Sequence, residues 1–161
     1  IDWLFVGGGV LYDSFRKDAD ACGFDHVHFK PYQPREILSQ SLSVADVHLV
    51  SLRPELEGLI VPSKFYGIAA VGRPTIFIGD QDGEIAEILR EHDCGMTVAE
   101  GDTSTLAESI QKLASDRVTS QRLGENARRA FESHFDQAIA MARWTGLLCE
   151  LGLRLDRPNR V

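Results

Sequence analysis

Signals that define several other classes of protein are absent from this sequence. Its three cysteines, Cys22, Cys94 and Cys149, are far apart and form no C-x-x-C pair. This pattern favours reduced thiols over a disulfide framework or a zinc site. No run approaches the roughly 20 apolar residues of a membrane-spanning helix. A charged segment followed by a small-residue cleavage site is also missing, so no signal peptide is predicted. We therefore expect a cytoplasmic protein without a metal site.

Basic residues are also fewer than acidic residues. The chain has 17 Lys and Arg against 24 Asp and Glu, a net charge of −7, which argues against nucleic acid as the main partner. Hydrophobic residues make up 43% and charged residues 25% of the chain, which is ordinary for a globular protein. At 161 residues the chain suits one domain with a real core.

Short apolar runs alternate with segments of helical spacing over most of the chain. The predicted strands are DWLFVG, VHF, VHLVSL, PTIFIG and MTV, and from Thr103 onward the pattern is helical. Strands separated by helices of 10–15 residues predict an α/β fold, a Rossmann-like parallel sheet with helices on both faces. We assign residues 1–150 to this domain, including extra C-terminal helices, and residues 151–161 to a tail.

In parallel sheets of this kind, ligands bind outside the carboxyl ends of the strands. The loops after Val6, Val50 and Ile78 are therefore the places to look. Gly7–Gly9 follows the first strand, either as a tight turn or as a backbone that approaches a ligand. After the fourth strand, we expect Asp80 or Asp82 to cap a helix, and Gly83 stands where a phosphate or sugar would dock.

The segment after Val50 contains the least ordinary stretch of the sequence, EGLIVPSKFYGIAAVGRP from Glu57 to Pro74. Ser63 is a candidate helix cap, and the backbone from Gly58 to Ser63 with the Lys64 ammonium suits a diphosphate. Glu57 would repel phosphate, so we expect it to meet sugar hydroxyls. The alternative for Glu57 is an ion pair with Lys64 or Arg53.

The ordered combination of WLFVGGG, VHFKPYQPREILSQSLSVADVHLVSL and EGLIVPSKFYGIAAVGRPTIF closely resembles the group 1 (family 4) retaining glycosyltransferases. The resemblance is to the C-terminal, nucleotide-sugar-binding half of their two-domain GT-B architecture, and it covers about residues 1–150. Relatives with a PSK sequence resemble bacterial enzymes that build surface polysaccharides. This implies sugar transfer from a UDP- or GDP-sugar, which is a substrate, with no cofactor.

The resemblance also assigns roles to residues. It implies that Glu57 orients the donor sugar, which makes it the one tentative catalytic residue. The donor and phosphate contacts would come from Gly7, Gly8, Gly9, Gly58, Leu59, Ile60, Val61, Ser63, Lys64, Gly83 and Glu84. The nucleotide base would lie near Lys30, Pro31 and Tyr32.

Two departures from the family pattern matter. Gly67 stands where the family usually has a ribose-binding Glu. The upstream Arg and Lys and the whole N-terminal acceptor domain are also missing, so we expect a piece of a longer protein that transfers little or no sugar by itself. Association with the inner face of the membrane would depend on the missing domain. The core is the favoured place for Phe135 and Trp144. If they instead dock onto the missing domain, the fragment is expected to self-associate.

Two alternatives stay open. One is the equivalent half of a UDP-sugar 2-epimerase, for which His26, His48 or His92 would have to supply acid–base chemistry. The other is a non-catalytic nucleotide-sugar-binding or interaction module, which the absence of a carboxylate at Gly67 makes plausible.

Overall fold

The computed structural model describes residues 1–152, so most of the predicted tail lies outside the described residues. This part of the chain has five strands and seven α-helices. Strands and helices alternate up to the fifth strand, and the last three helices follow it. The strands are β1 (Trp3–Val6), β2 (Val27–Lys30), β3 (His48–Ser51), β4 (Thr75–Ile78) and β5 (Gly95–Val98). The helices are α1 (Tyr12–Ala21), α2 (Leu38–Ser43), α3 (Lys64–Ala70), α4 (Glu84–Glu91), α5 (Thr103–Ser115), α6 (Arg117–Ala130) and α7 (Gln137–Glu150).

All strand pairs are parallel, as predicted, but the strands form two sheets. One sheet pairs β1 with β2, with Trp3 opposite Val27. The other has the order β3-β4-β5, with His48 opposite Thr75 and Thr75 opposite Gly95. The α/β class and the parallel pairing are confirmed. The separation of the sheets was not predicted.

Successive residues of β4 point to opposite faces of the three-stranded sheet. Helices pack against both faces. Phe77 belongs to a buried cluster that also contains Phe65 and Ile68 from α3. Its neighbour Ile76 belongs to a second cluster with Leu113 of α5. Both strand residues are fully buried, so the core of the molecule lies on both sides of this sheet.

Aspartates begin the last three helices. Asp102 accepts the Thr105 N–H at 3.0 Å and Asp116 accepts the Thr119 N–H at 3.0 Å. At the start of α7, the Asp136 carboxylate accepts the Ala138 N–H at 2.8 Å. These bonds satisfy backbone donors that have no partner inside the helix. Ser63 precedes α3 but makes no side-chain capping bond, so the cap expected from it is absent.

The two aromatic residues expected in the core near the end of the chain have different surroundings. Phe135 is half-buried and lies 5.3 Å, centroid to centroid, from Tyr66, so it joins the core edge. Trp144, by contrast, is 61% exposed, and its expected core position is wrong. Helix α7 has no fully buried residue, and of its apolar side chains only some, such as Ile139 and Leu148, are partly buried.

The three cysteines are free thiols. Cys22 and Cys149 are exposed, whereas Cys94 is buried. Burial raises the pKa of the Cys94 thiol to about 11, so Cys94 behaves as a small apolar core residue.

Candidate functional site

Loops from both sheets meet at the carboxyl ends of the strands. Gly8 and Tyr32, which follow β1 and β2, line the same cleft as Ser63 and Lys64, which follow β3. Lys30, the last residue of β2, lines it as well. Residues that the sequence predicted for the base and the diphosphate therefore line one large cleft between the two sheets.

The glycine loop after β1 uses conformations that other residues rarely adopt. Gly7 has φ +124° and Gly9 has φ +148°, which strongly favours glycine at both positions. The Tyr32 ring lies over this loop: a Cβ on Gly7 would be 3.0 Å from the ring carbon Cε1. The Tyr32 hydroxyl donates to the Gly8 carbonyl at 3.4 Å. Bare backbone therefore lies beside an exposed aromatic face, an arrangement on which a planar base can stack.

The Glu57 carboxylate caps the first turn of α4. Its Oε1 accepts the Glu84 N–H at 2.9 Å. A Cβ on Gly83 would be 2.6 Å from the carboxylate Cδ and Oε2 of Glu57, so the missing side chain makes room for this carboxylate. The expected cap from Asp80 or Asp82 is wrong, because Asp80 instead accepts the Asp82 N–H at 3.0 Å. The ion pair with Lys64 or Arg53, the alternative for Glu57, is not among the ion pairs of residues 1–152.

The backbone after Glu57 is open to solvent. Gly58 turns the chain with φ +76°, and the next three residues, Leu59, Ile60 and Val61, have exposed side chains. A recess of about 340 Å³ lies between the end of β3 and residues Val61 to Lys64. This volume is at the lower end of the range for small-molecule pockets, about 300–1,000 Å³. Its position, beside Val61 to Lys64, is the one for which the sequence predicted the diphosphate.

Gly67 lies one turn into α3 and lines the cleft between the sheets. A Cβ there would be 3.1 Å from Leu42 Cδ1, so a larger residue requires a small shift of Leu42. Its neighbour Tyr66 donates a hydrogen bond to Glu84 Oε1 at 3.4 Å. Burial, together with the Glu84 charge, raises the pKa of Tyr66.

Histidines lie away from these loops, although His28 and His48 line the cleft between the sheets. His26 and His28 both contact Asp2, just before β1. His48 begins β3, at the amino end of the strand, and its Nε2 lies 2.8 Å from the Leu42 carbonyl. His92 stacks against His134, with ring centroids 4.9 Å apart. None of these positions is at the carboxyl edge, which leaves the epimerase alternative without a placed acid–base residue.

Among residues 1–152, no cluster of three His, Cys, Asp or Glu side chains has the arrangement of a metal site. The same residues contain no helix with the length and apolarity that a membrane crossing requires.

Parallel strands, glycine loops at their carboxyl ends and a helix capped from a neighbouring loop define a Rossmann-like ligand-binding domain. The family model of glycosyl transferases group 1 matches residues 1–130. The chain belongs to this family.

Known proteins show the same relationship. The chain is 28% identical over 144 residues to the probable glycosyltransferase WbjE of Pseudomonas aeruginosa, covering 88% of this chain and 35% of WbjE. It therefore spans about a third of that relative's length. Sucrose-phosphate synthase from Thermosynechococcus elongatus matches with a TM-score of 0.75 and 24% identity, over 92% of this chain and 38% of the other. Anabaena HepE, solved with UDP, matches with a TM-score of 0.76 and 15% identity, over 93% and 41%. These structural matches confirm the fold of a GT-B glycosyltransferase domain.

Sequence reasoning missed the contact between Glu57 and Glu84. The two residues are 27 positions apart, and neither is adjacent to the other's motif. No local signal in the sequence indicates this contact, because the close approach of Glu57 to Gly83 arises only in the folded chain.

Proposed function

We propose that this chain is the donor-binding half of a retaining glycosyltransferase that uses a UDP- or GDP-sugar in surface polysaccharide synthesis. The observation that carries the proposal is the meeting of Gly8, Tyr32, Ser63 and Lys64 in one cleft of a group 1 family domain. The similarity to WbjE and the UDP bound in the HepE structure support the class of donor. The location we propose is the cytoplasm, at the inner face of the membrane if the longer protein associates with it.

The hard step of such a reaction is the departure of a nucleoside diphosphate from the sugar. Negative charge then develops on the leaving phosphate, and preorganised donors stabilise it. In our proposal the backbone of Gly58 to Val61 and the Lys64 ammonium supply these donors. Gly7 to Gly9 allow the diphosphate to approach the backbone, while Lys30, Pro31 and Tyr32 hold the base.

Glu57 is suited to orienting the sugar because only part of its carboxylate is engaged. A carboxylate has two oxygens with about four acceptor positions. Oε1 accepts the Glu84 N–H, which fixes the group, and Oε2 lies over Gly83. Oε2 therefore remains able to accept a sugar hydroxyl. In this arrangement Gly83 and Glu84 contribute to the site by positioning Glu57.

Calorimetric titration of the chain with UDP, GDP and ADP tests the proposal. We expect one uridine or guanosine diphosphate to bind more tightly than ADP, with and without EDTA, because no metal is invoked. Lys64→Gln should weaken that binding about five- to tenfold, since a charge-assisted contact near the surface is worth about 1 kcal/mol. Lys17→Gln, on the exposed face of α1, is the matched control and should change nothing.

If none of the three nucleotides binds at millimolar concentration, a non-catalytic interaction module becomes the better account of the chain. An equal loss of nucleotide affinity in Lys64→Gln and Lys17→Gln would show that Lys64 does not contact the nucleotide.

A further inference from the structure

Tyr66 lies in the first turn of α3 and contacts the first turn of α4. Its hydroxyl donates to Glu84 Oε1 at 3.4 Å, and Glu84 is the first residue of α4. Both helices follow parallel strands of the same sheet, so their first turns lie at the carboxyl edge, where ligands of such sheets bind. A side chain of α3 therefore contacts the helix that Glu57 caps.

Aromatic neighbours hold the Tyr66 ring. Its centroid lies 5.5 Å from that of Phe65 and 5.3 Å from that of Phe135, within the range of about 4.5–7 Å for favourable aromatic pairs. Phe65 is fully buried. Phe135 ends a π-helical turn, Phe131–Phe135, between α6 and α7, and turns of this kind are frequent at functional sites. The ring therefore presents its hydroxyl to Glu84 from a packed position.

Glu84 is engaged through both its backbone and its side chain. Its N–H donates to Glu57 Oε1 at 2.9 Å, and its carboxylate accepts the bond from Tyr66. Among residues 1–152, no other side chain donates a hydrogen bond to this carboxylate. The preceding Gly83 has no side chain to restrict the backbone, and helix ends tend to fray. Tyr66 therefore supplies the side-chain restraint on the residue whose N–H fixes Glu57.

The Tyr66 hydroxyl remains a donor at neutral pH. Burial, together with the Glu84 charge, raises the pKa of Tyr66 above its ordinary value of 10.0. A protonated tyrosine donates to the Glu84 carboxylate, whereas a phenolate would repel it.

We propose that Tyr66 is a positioning residue for the donor sugar: through Glu84, it holds the Glu57 carboxylate in the orientation that accepts a sugar hydroxyl. This role rests on the proposed function, in which Glu57 meets the sugar. The diphosphate contacts proposed above come instead from the backbone of Gly58 to Val61 and from Lys64. Loss of the Tyr66 hydroxyl should therefore affect recognition of the sugar and leave recognition of the diphosphate intact.

Tyr66→Phe tests the role because it removes the hydroxyl and retains the packed ring. Calorimetry measures the affinity of the chain for UDP and UDP-glucose, and for GDP and GDP-mannose. We expect Tyr66→Phe to weaken binding of the sugar nucleotide about three- to tenfold, the effect of losing one ordinary hydrogen bond. Binding of the bare diphosphate should not change.

Tyr12→Phe is the matched control. The Tyr12 hydroxyl donates to the Lys30 carbonyl, also at 3.4 Å, but it lies on α1. Its removal should leave the ratio between the two affinities unchanged. Circular dichroism spectra check that each variant is folded.

Substitutions of Glu84 test whether Tyr66 acts through this residue. Glutamine retains an acceptor oxygen for the hydroxyl, so Tyr66→Phe should still weaken sugar-nucleotide binding in the Glu84→Gln background. Alanine removes the acceptor, so Tyr66→Phe should cause no further loss in the Glu84→Ala background. A further loss there would show that Tyr66 acts by another route.

The outcomes separate this role from the proposed function. If the wild-type chain binds nucleotide and Tyr66→Phe causes any pattern other than a selective loss for the sugar nucleotide, the positioning role is wrong and the proposed function stands. If the wild-type chain binds none of the four nucleotides, the proposed function fails and the role of Tyr66 fails with it.

Discussion

At the scale of single residues, Glu57 and Gly83 form one unit. The carboxylate caps α4, and the glycine leaves the space that this carboxylate occupies. Gly83 is the N-cap residue of α4, a position where alanine is less favourable than glycine. The contact with Glu57 should add to the cost of alanine there.

We therefore expect Gly83→Ala to lower the free energy of unfolding by about 0.5–2 kcal/mol, because its methyl group displaces the flexible Glu57 carboxylate and so removes the cap. Glu57→Ala alone should cost about 0.5–2 kcal/mol through the same lost cap. In the Glu57→Ala background, Gly83→Ala should destabilise less than in the wild type. Urea unfolding of the four proteins measures this cycle, with Glu55→Ala as the exposed control. Additive losses would show that the two residues are not in contact.

His48 gives a pH dependence at the same scale. Burial lowers the pKa of His48 below its ordinary value of 6.5, and the nearby charges of Lys64 and Arg73 act in the same direction. As pH falls through about 6.5, the unfolded chain binds a proton that the folded chain does not. The folded state therefore loses stability toward lower pH, and it gains stability as pH rises through this window.

His48→Gln should make this dependence shallower while retaining a donor for the Leu42 carbonyl. Free energies of unfolding at pH 5, 6, 7 and 8 test the prediction, with His134→Gln, an exposed histidine, as the control. The same slope for wild type and His48→Gln would contradict it.

At the scale of elements, two helical glycines have opposite surroundings. Gly124 in α6 packs against the Gly72 backbone, where a Cβ would contact the Gly72 carbonyl oxygen. Gly146 in α7 has nothing within 4 Å of its Cβ position. The first glycine allows α6 to approach the turn after α3, whereas the second has no packing role.

We expect Gly124→Ala to destabilise the protein by about 1–3 kcal/mol, because the methyl group forces α6 away from that turn. Gly146→Ala should be neutral or stabilise α7 by up to about 1 kcal/mol, the helix propensity difference between the two residues. Thermal unfolding followed by circular dichroism compares the pair. Destabilisation of similar size by both substitutions would exclude the packing argument.

The sequence was a good guide to elements whose signals are local. Short apolar runs predicted all five strands. Contacts between distant segments were not accessible in this way. The cap from Glu57 depends on a loop reaching a helix 27 residues later, and the position of Trp144 depends on what α7 packs against. The separation of β1 from β3 likewise arises from pairing, which the alternating pattern does not encode.

At the scale of the whole molecule, α7 presents an apolar face. Met141, Trp144, Leu147 and Leu151 are all exposed and recur at intervals of three to four residues, on one side of the helix. Contiguous apolar surface of this kind favours association. We expect the average mass in light scattering to rise with concentration.

Trp144→Gln should reduce this rise, because it removes the largest apolar side chain of the face. Val118→Gln, at an exposed apolar residue of α6, should leave it unchanged. A monomeric mass for the wild-type chain at every concentration would contradict the prediction.

The central claim is that a nucleotide sugar binds at the carboxyl edge through the loops after β1, β3 and β4. The most direct measurement is titration of the ¹⁵N-labelled chain with UDP-glucose and GDP-mannose, followed by backbone amide shifts. We predict saturable shifts at Gly7–Gly9, Gly58–Lys64 and Gly83–Glu84 with one of the two donors, and none along α7. Saturable shifts confined to other surfaces, or no shifts with either donor at millimolar concentration, would contradict the account.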